Sequence, residues 1–244
     1  MTLLETHGLV KRYSGRAVVN EVYISIAQRS IVGLLGRNGA GKTTTFRMIM
    51  GMIIPNSGSV VFEGRDITKL PMYRRARLGI GYLSQEPSIF QRLNVRDNLY
   101  AILETMSVTN AERNRRANML IERFGLSEVA YSQGKYLSGG ERRKLEIARA
   151  MVTNPSLILL DEPFSGVDPI TVEDLQQEIR QLVAGGVSIL ITDHNVERTL
   201  EVVDKAYIID HGKVIGAGRP AEIVRDQTIK KLYLGNTFDG DEFD

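Results

Sequence analysis

The sequence predicts an α/β fold built around a mostly parallel sheet with right-handed crossovers. Three short apolar runs rich in β-branched residues, at 31–35, 157–160 and 187–191, are typical of parallel strands covered on both faces. Helical patterns lie between these runs. The clearest one begins with Asp168 as N-cap and Pro169 as first residue, and two glycines close it. Its apolar face consists of Val172, Leu175, Ile179 and Leu182.

Two stretches interrupt the alternation of strands and helices near the amino terminus. Residues 15–30 and 58–66 have the pattern of antiparallel strands joined by turns, and PNSG at 55–58 is the clearest turn signal. They predict a small antiparallel β-subdomain.

A helical lobe is predicted in the middle of the chain. From about residue 94 to 154 the pattern is helical, and Thr109 with Glu112 predicts a capping box. One apolar face of that helix, closed by Gly125, consists of Ala117, Leu120, Ile121 and Phe124. The predicted layout is a single domain over 1–239, a helical subdomain at about 87–154 inserted in its α/β core, and a disordered acidic end at 240–244.

Composition excludes several classes of protein. Lys and Arg number 31 against 29 Asp and Glu, which is too balanced for a dedicated nucleic-acid binder. There are no cysteines, so disulfides and iron–sulfur ligation are excluded. The amino terminus carries Glu5 and no long apolar run, and no run approaches the roughly 20 residues of a membrane helix. We expect an intracellular protein whose membrane role, if it has one, depends on a partner.

GRNGAGKT, directly after the strand at 31–35, fits the phosphate-binding pattern G-x-x-x-x-G-K-[ST]. The glycines let the backbone wrap phosphates, Lys42 neutralises the β and γ groups, and the Thr43 hydroxyl can bind Mg²⁺. The predicted phosphate-binding residues are Gly36, Arg37, Asn38, Gly39, Ala40, Gly41, Lys42, Thr43 and Thr44.

LILLDEP (157–163) supplies the carboxylates that an ATPase needs. Asp161 ends a buried strand and can hold Mg²⁺ through water, and Glu162 is the candidate general base for the attacking water. Glu162 could instead cap the following segment, a reading we weight lower because a carboxylate at a buried strand end is costly. The guanine-reading N-K-x-D element is absent from the sequence, which argues against a GTPase.

Three further residues have two readings each. A lone histidine such as His194 is more often structural, but its place after the strand at 187–191 lets it reach the γ-phosphate or the attacking water. Gln85 follows another predicted strand to the same edge and can meet Mg²⁺, although an ordinary loop glutamine is nearly as favoured. Tyr13 could stack on a purine, or be a half-buried aromatic of the β-subdomain.

A second anion site is predicted at LSGGE (137–141). Ser138, Gly139 and Gly140 can turn consecutive N–H groups outward ahead of a basic amphipathic helix, whose positive dipole end adds to the site. A single phosphate loop contacts a triphosphate from one side only. The second anion site, the second phosphate cradle of the chain, is therefore predicted to contact a nucleotide held by another copy of the chain.

Taken in order, Tyr13, the 36–43 loop, Gln85, LSGGE, LILLDE, SGVD and His194 resemble the ATP-binding-cassette ATPases over essentially the whole chain. The resemblance implies a P-loop NTPase with a RecA-like core and a head-to-tail homodimer that ATP closes and hydrolysis opens. It also implies a role for each site residue. Tyr13 stacks on adenine, Lys42 and the loop amides hold the phosphates, and Mg²⁺ is reached by Thr43, Gln85 and Asp161. Glu162 is the base, His194 senses the γ-phosphate, Asp168 belongs to a dimer-spanning loop, and the γ-phosphate of the partner copy is clamped by Ser138, Gly139 and Gly140.

The segments SQEPSIF, DEPFSGVDPITV and LITDHNVERTL are similar to the ATPase subunits of lipopolysaccharide exporters. The importer ATPases for branched-chain amino acids, and soluble cassette ATPases of cofactor assembly, are the alternatives. Arg37, Gln91 and the acidic end depart from the exporter pattern. A membrane subunit is expected to dock on Ile89, Phe90 and Arg92, unless Phe90 packs into the helical lobe. The resemblance implies a cytoplasmic protein bound peripherally to the inner face of the membrane through such partners.

Overall fold

The computed structural model describes residues 1–165 and 169–230, which form two sheets and a group of helices. The strands are β1 Thr2–Tyr13, β2 Arg16–Ala27, β3 Ile31–Leu35, β4 Ser57–Phe62, β5 Arg65–Asp66, β6 Ile80–Leu83, β7 Leu157–Asp161, β8 Ser188–Asp193, β9 Lys205–Asp210 and β10 Lys213–Gly218. The helices are α1 Lys42–Met50, α2 Met72–Arg77, α3 Val95–Leu103, α4 Asn110–Arg123, α5 Gly139–Met151, α6 Pro169–Ala184, α7 Val196–Leu200, α8 Pro220–Arg225 and α9 Gln227–Ile229, with a 3₁₀ turn at Gly134–Tyr136.

The larger sheet has the strand order β10-β9-β3-β8-β7-β6. Strands β9, β3, β8, β7 and β6 pair in parallel, and β10 is antiparallel to β9. All residues of β3 and β8 are buried, because helices pack on one face of the sheet and α1 together with strands β1, β2 and β4 packs on the other. The three strands predicted from their apolar runs are confirmed.

The smaller sheet is antiparallel, with the order β2-β1-β4-β5. The strand patterns predicted at 15–30 and 58–66 are confirmed as β2 and as β4 with β5. Sequence reasoning missed β1, whose pairing with both β2 and β4 is shifted by irregularities in register. Such bulges break the simple alternation by which a strand is recognised.

The helical lobe is formed by α3, α4 and α5. The predicted apolar face of α4 is buried, and so is that of α6, which ends just before Gly185. The predicted capping box of α4 is only half formed. Thr109 accepts the Glu112 N–H, but the Glu112 carboxylate pairs with Arg115 and Arg116 at 2.8 and 2.6 Å instead of reaching back. Two guanidinium groups one turn away outcompete a single backbone N–H for that carboxylate.

Some predictions fall outside the described residues, namely the Asp168 N-cap, its place in a dimer-spanning loop, and the acidic end at 240–244. The assignment of 1–239 to a single domain stays a prediction. Within the described ranges, no helix is both long enough and apolar enough to cross a membrane.

Candidate functional site

Four neighbouring parallel strands end at one edge of the larger sheet, and a predicted site residue or loop follows each of them. The phosphate loop follows β3, Gln85 follows β6, Glu162 follows β7, and His194 follows β8. Because β8 lies between β3 and β7, the His194 segment lies between the phosphate loop and the carboxylates of Asp161 and Glu162. This edge is where ligands bind in open α/β sheets.

The phosphate loop has a backbone shape that only glycine supports at Gly41. Gly41 has φ +108°, and a Cβ there would lie 2.6 Å from the Val18 carbonyl oxygen. No side chain caps the start of α1, so its first N–H groups are available to an anion. Thr43 and Thr44 lie partly exposed in that first turn. Arg37, Asn38 and Gly39 are exposed, and Ala40 is buried; together with Arg16, which sequence reasoning did not select, they line a cavity of about 390 Å³.

Lys42 is 4% exposed, and its ammonium is held by the loop itself. Its Nζ donates to the carbonyl oxygens of Gly36 at 2.6 Å and of Arg37 at 3.1 Å. Burial lowers the pKa of Lys42, an effect that the nearby carboxylates of Glu162, Asp193 and Asp161 oppose. The cation is therefore preplaced between the phosphate loop and the carboxylates.

Glu162 has a strained backbone, with φ +47°. A non-glycine residue in this region costs on the order of 1–3 kcal/mol and is common at functional sites. The Glu162 N–H donates to the Thr192 carbonyl at 2.7 Å, which holds this conformation. Its Oε2 lies 3.4 Å from His194 Nδ1, and the His194 side chain is 47% exposed. A candidate base and a half-exposed imidazole thus meet at the strand ends, which disfavours the reading of His194 as a core residue.

Asp193 is fully buried, and sequence reasoning missed it. Its Oδ1 accepts the Asn195 N–H at 2.9 Å, its Oδ2 accepts the Phe164 N–H at 3.1 Å, and His194 Nδ1 lies 3.5 Å away. Asp193 therefore ties the start of the His194 loop to the segment that follows Glu162. The available signal was a carboxylate at the end of a buried strand, as for Asp161 in β7.

Gln85 is exposed, and its Nε2 lies 3.5 Å from the Ser165 hydroxyl. It lines a cavity of about 350 Å³ together with Glu162, Gly139 and Gly140. Among the described residues, the lining of this cavity includes none from the phosphate loop. Residues 37–40 of the phosphate loop and the two glycines of the second predicted cradle thus line different cavities.

The second cradle is the start of α5. Ser138 is its N-cap, and a complete capping box forms with Glu141. The Ser138 hydroxyl accepts the Glu141 N–H, and the Glu141 carboxylate accepts the Ser138 N–H at 2.8 Å. The Ser138 N–H and the Ser138 hydroxyl, which also donates to this carboxylate at 2.8 Å, lower the pKa of Glu141. Gly139 and Gly140 are exposed, and a Cβ on either would meet nothing within 4 Å, so the first turn of α5 is open to a large anion.

Of the three residues predicted to contact a membrane subunit, two are exposed. Phe90 is 44% exposed, and Arg92 is also exposed. Ile89 is only 7% exposed and packs against Gly134, so the expectation that it belongs to a surface patch is wrong. The Arg149 guanidinium lies 4.6 Å from the centre of the Phe90 ring, which leaves the rest of that ring to solvent.

Tyr13 ends β1 and is 47% exposed, with the Lys11 ammonium 5.5 Å from its ring centre. An exposed ring at this strand end is available for stacking on a planar ligand.

The chain is similar to known proteins both in sequence and in fold. A family model described as "ABC transporter" matches residues 19–165. The sequence is 50% identical over 239 residues to the lipopolysaccharide export system ATP-binding protein LptB of Escherichia coli K12, covering 98% of this chain and 99% of that protein. It is 49% identical over 236 residues to the protein of the same name from Acidithiobacillus ferridurans, covering 97% and 98%. The fold matches the crystal structure of an ATP-binding cassette of an ABC transporter in its ADP conformation, with a TM-score of 0.87, 27% identity, and 97% and 100% coverage.

Proposed function

Because this chain belongs to the ABC transporter family of ATPases, we propose that it is the ATP-hydrolysing subunit of a lipopolysaccharide exporter. One observation carries the cargo assignment: about half of the residues are identical, over nearly the full length, to proteins named for lipopolysaccharide export. The alternatives, importer ATPase and soluble assembly ATPase, are not favoured by those relatives. Membrane subunits would hold the protein at the cytoplasmic face of the membrane, and no nucleic acid is involved.

ATP and Mg²⁺ fit the chemistry of the residues present. Thr43, Gln85 and Asp161 offer a hydroxyl, an amide oxygen and a carboxylate, which are the hard oxygen donors that Mg²⁺ prefers alongside water and phosphate. When bound, Mg²⁺ neutralises charge that develops on the phosphates. Tyr13 would stack on adenine, and the 36–44 backbone and Lys42 would hold the phosphates.

Hydrolysis would be carried by Glu162 and His194. The Glu162 carboxylate accepts a proton from water, whose oxygen bonds to the γ-phosphorus as the bond to the bridging oxygen of ADP breaks. His194, 3.4 Å from Glu162, would bond the γ-phosphate and keep the water in line. The products are ADP and inorganic phosphate.

The nucleotide would be completed by a second copy of the chain. Ser138, Gly139 and Gly140 of one copy would contact the γ-phosphate held by the phosphate loop of the other. The separation of the two cradles into different cavities of one chain supports this arrangement. ATP would close the head-to-tail dimer, and phosphate release would open it.

The cargo can be tested by reconstitution. The full chain, combined with its membrane subunits in liposomes that contain lipopolysaccharide, is expected to release lipid to an acceptor only with ATP. Glu162→Gln is the inactive control. ATP-driven movement of a branched-chain amino acid, without lipid release, would contradict the proposal.

Phe90→Ala is expected to abolish co-purification with the membrane subunits while leaving ATP hydrolysis by the isolated protein within about twofold. The ring is exposed, so its loss removes an anchor and little core packing. Tyr23→Ala, on another surface and also exposed at 59%, is the matched control and should leave complex formation intact. Loss of soluble ATPase activity with docking unimpaired would show that Phe90 packs for stability instead.

A further inference from the structure

Thr192, on the neighbouring strand β8, contacts both acidic residues at the end of β7, namely the carboxylate of Asp161 and the backbone N–H of Glu162. Its Oγ1 donates to Asp161 Oδ1 at 2.7 Å, and its carbonyl oxygen accepts the Glu162 N–H at 2.7 Å. Thr192 is 1% exposed and lies opposite Asp161 in the parallel register. One residue therefore holds two consecutive acidic residues by two different groups.

We propose that the Thr192 hydroxyl is a positioning group for the metal-binding carboxylate of Asp161. A hydrogen bond donated to one carboxylate oxygen fixes the rotamer and leaves the second oxygen to face a ligand. Among the described residues, Asp161 Oδ2 has no hydrogen-bond partner, so it is this oxygen that remains for a metal-bound water. Without the hydroxyl, the side chain of Asp161 would rotate between alternatives and bind the metal less well.

The Thr192 hydroxyl is specific in its choice of acceptor. The next acceptor, the Leu160 carbonyl oxygen, lies at 3.5 Å, at the limit of a hydrogen bond. A buried hydroxyl needs a hydrogen-bond acceptor, but that acceptor need not be a carboxylate. If only the volume of the side chain mattered, valine would fill the same space within a β-strand. The choice of threonine at this position is thus explained by Asp161.

The two roles of Thr192 can be separated, because the contact with Glu162 is made by the backbone. Thr192→Val removes the hydroxyl and keeps the carbonyl, whereas Thr192→Ser keeps both. We would measure by calorimetry the affinity of the full chain for a non-hydrolysable ATP analogue, once with excess Mg²⁺ and once with a chelator. Neither measurement depends on ATP hydrolysis.

Thr192→Val is expected to bind the metal-free analogue within about twofold of wild type and to lose about tenfold in affinity when Mg²⁺ is present. Thr192→Ser should behave as wild type in both conditions. Equal affinities of Thr192→Val and wild type with Mg²⁺ would overturn the proposal. Equal losses in Thr192→Val and Thr192→Ser would also overturn it, because serine keeps the hydroxyl and the loss would then follow any change of the side chain at this position. If the valine variant does not fold, Thr192→Ala removes the same hydroxyl and is measured in its place.

The inference rests on the proposed role of Asp161, and one further variant separates the two. Asp161→Asn should itself abolish the gain in affinity that Mg²⁺ provides, and Thr192→Val added to it should cost nothing more, because the hydroxyl acts through that carboxylate. If Asp161→Asn leaves the Mg²⁺ effect intact, the metal assignment fails. If Asp161→Asn removes it and Thr192→Val does not weaken it, only the role of Thr192 fails.

Discussion

Glu162→Gln is expected to lower the rate of ATP hydrolysis by at least about a hundredfold, the usual contribution of a general base, while Mg-ATP still binds. Glutamine keeps the shape of the side chain but cannot accept the proton of the attacking water. The phosphate loop, Lys42 and the start of α5 are unchanged, so both cradles remain intact. Steady-state phosphate release and equilibrium binding of Mg-ATP, measured on the same preparation, separate the two effects.

The same variant should accumulate as an ATP-bound dimer, because closure occurs and hydrolysis no longer reverses it. Size-exclusion chromatography with and without Mg-ATP measures this shift in mass. Glu197→Gln, an exposed glutamate in the first turn of α7 near His194, is the matched control and should turn over ATP normally. A Glu162→Gln protein that binds ATP yet stays monomeric would contradict the shared-site arrangement.

The local backbone structure that sequence reasoning predicted correctly around the candidate site depends on short sequence patterns. The phosphate loop joins a strand and a helix in immediate succession, and the α5 cradle combines an N-cap with two glycines. In each case the chemistry and the conformation are contained in fewer than ten residues. That is why their geometry could be foreseen.

The parts that were missed depend on which strands are neighbours. Thr192 and Asp193 matter because β8 lies between β3 and β7, and the chain order does not show this. Ile89 was expected on the surface beside Phe90, but a turn more than 40 residues later, at Gly134, covers it. The Glu112 carboxylate pairs with two arginines instead of completing a capping box, because two charged donors outcompete one backbone N–H, and the capping pattern alone does not take these competitors into account.

Gly139→Asp is expected to abolish ATP hydrolysis without weakening the fold. A Cβ at this position meets nothing within 4 Å, and the residue is the first of α5, where a carboxylate interacts favourably with the helix dipole. The melting temperature should therefore equal or exceed that of wild type. In the dimer, the new carboxylate would stand against the γ-phosphate of the other copy and repel it.

Gly139→Asn is the matched control, because it adds the same volume without the charge and should retain more activity than the aspartate. Lys42→Ala should instead weaken the binding of ATP to the monomer itself. It removes the ammonium that the Gly36 and Arg37 carbonyls hold at the phosphate loop. Gly139→Asp should bind ATP as a monomer nearly as wild type does, yet fail to dimerise when combined with Glu162→Gln. A cradle that contacts only the nucleotide of a second copy can be blocked without weakening the binding of ATP to the monomer. Equal losses of monomer affinity in Gly139→Asp and Lys42→Ala would therefore mean that both cradles hold the same nucleotide.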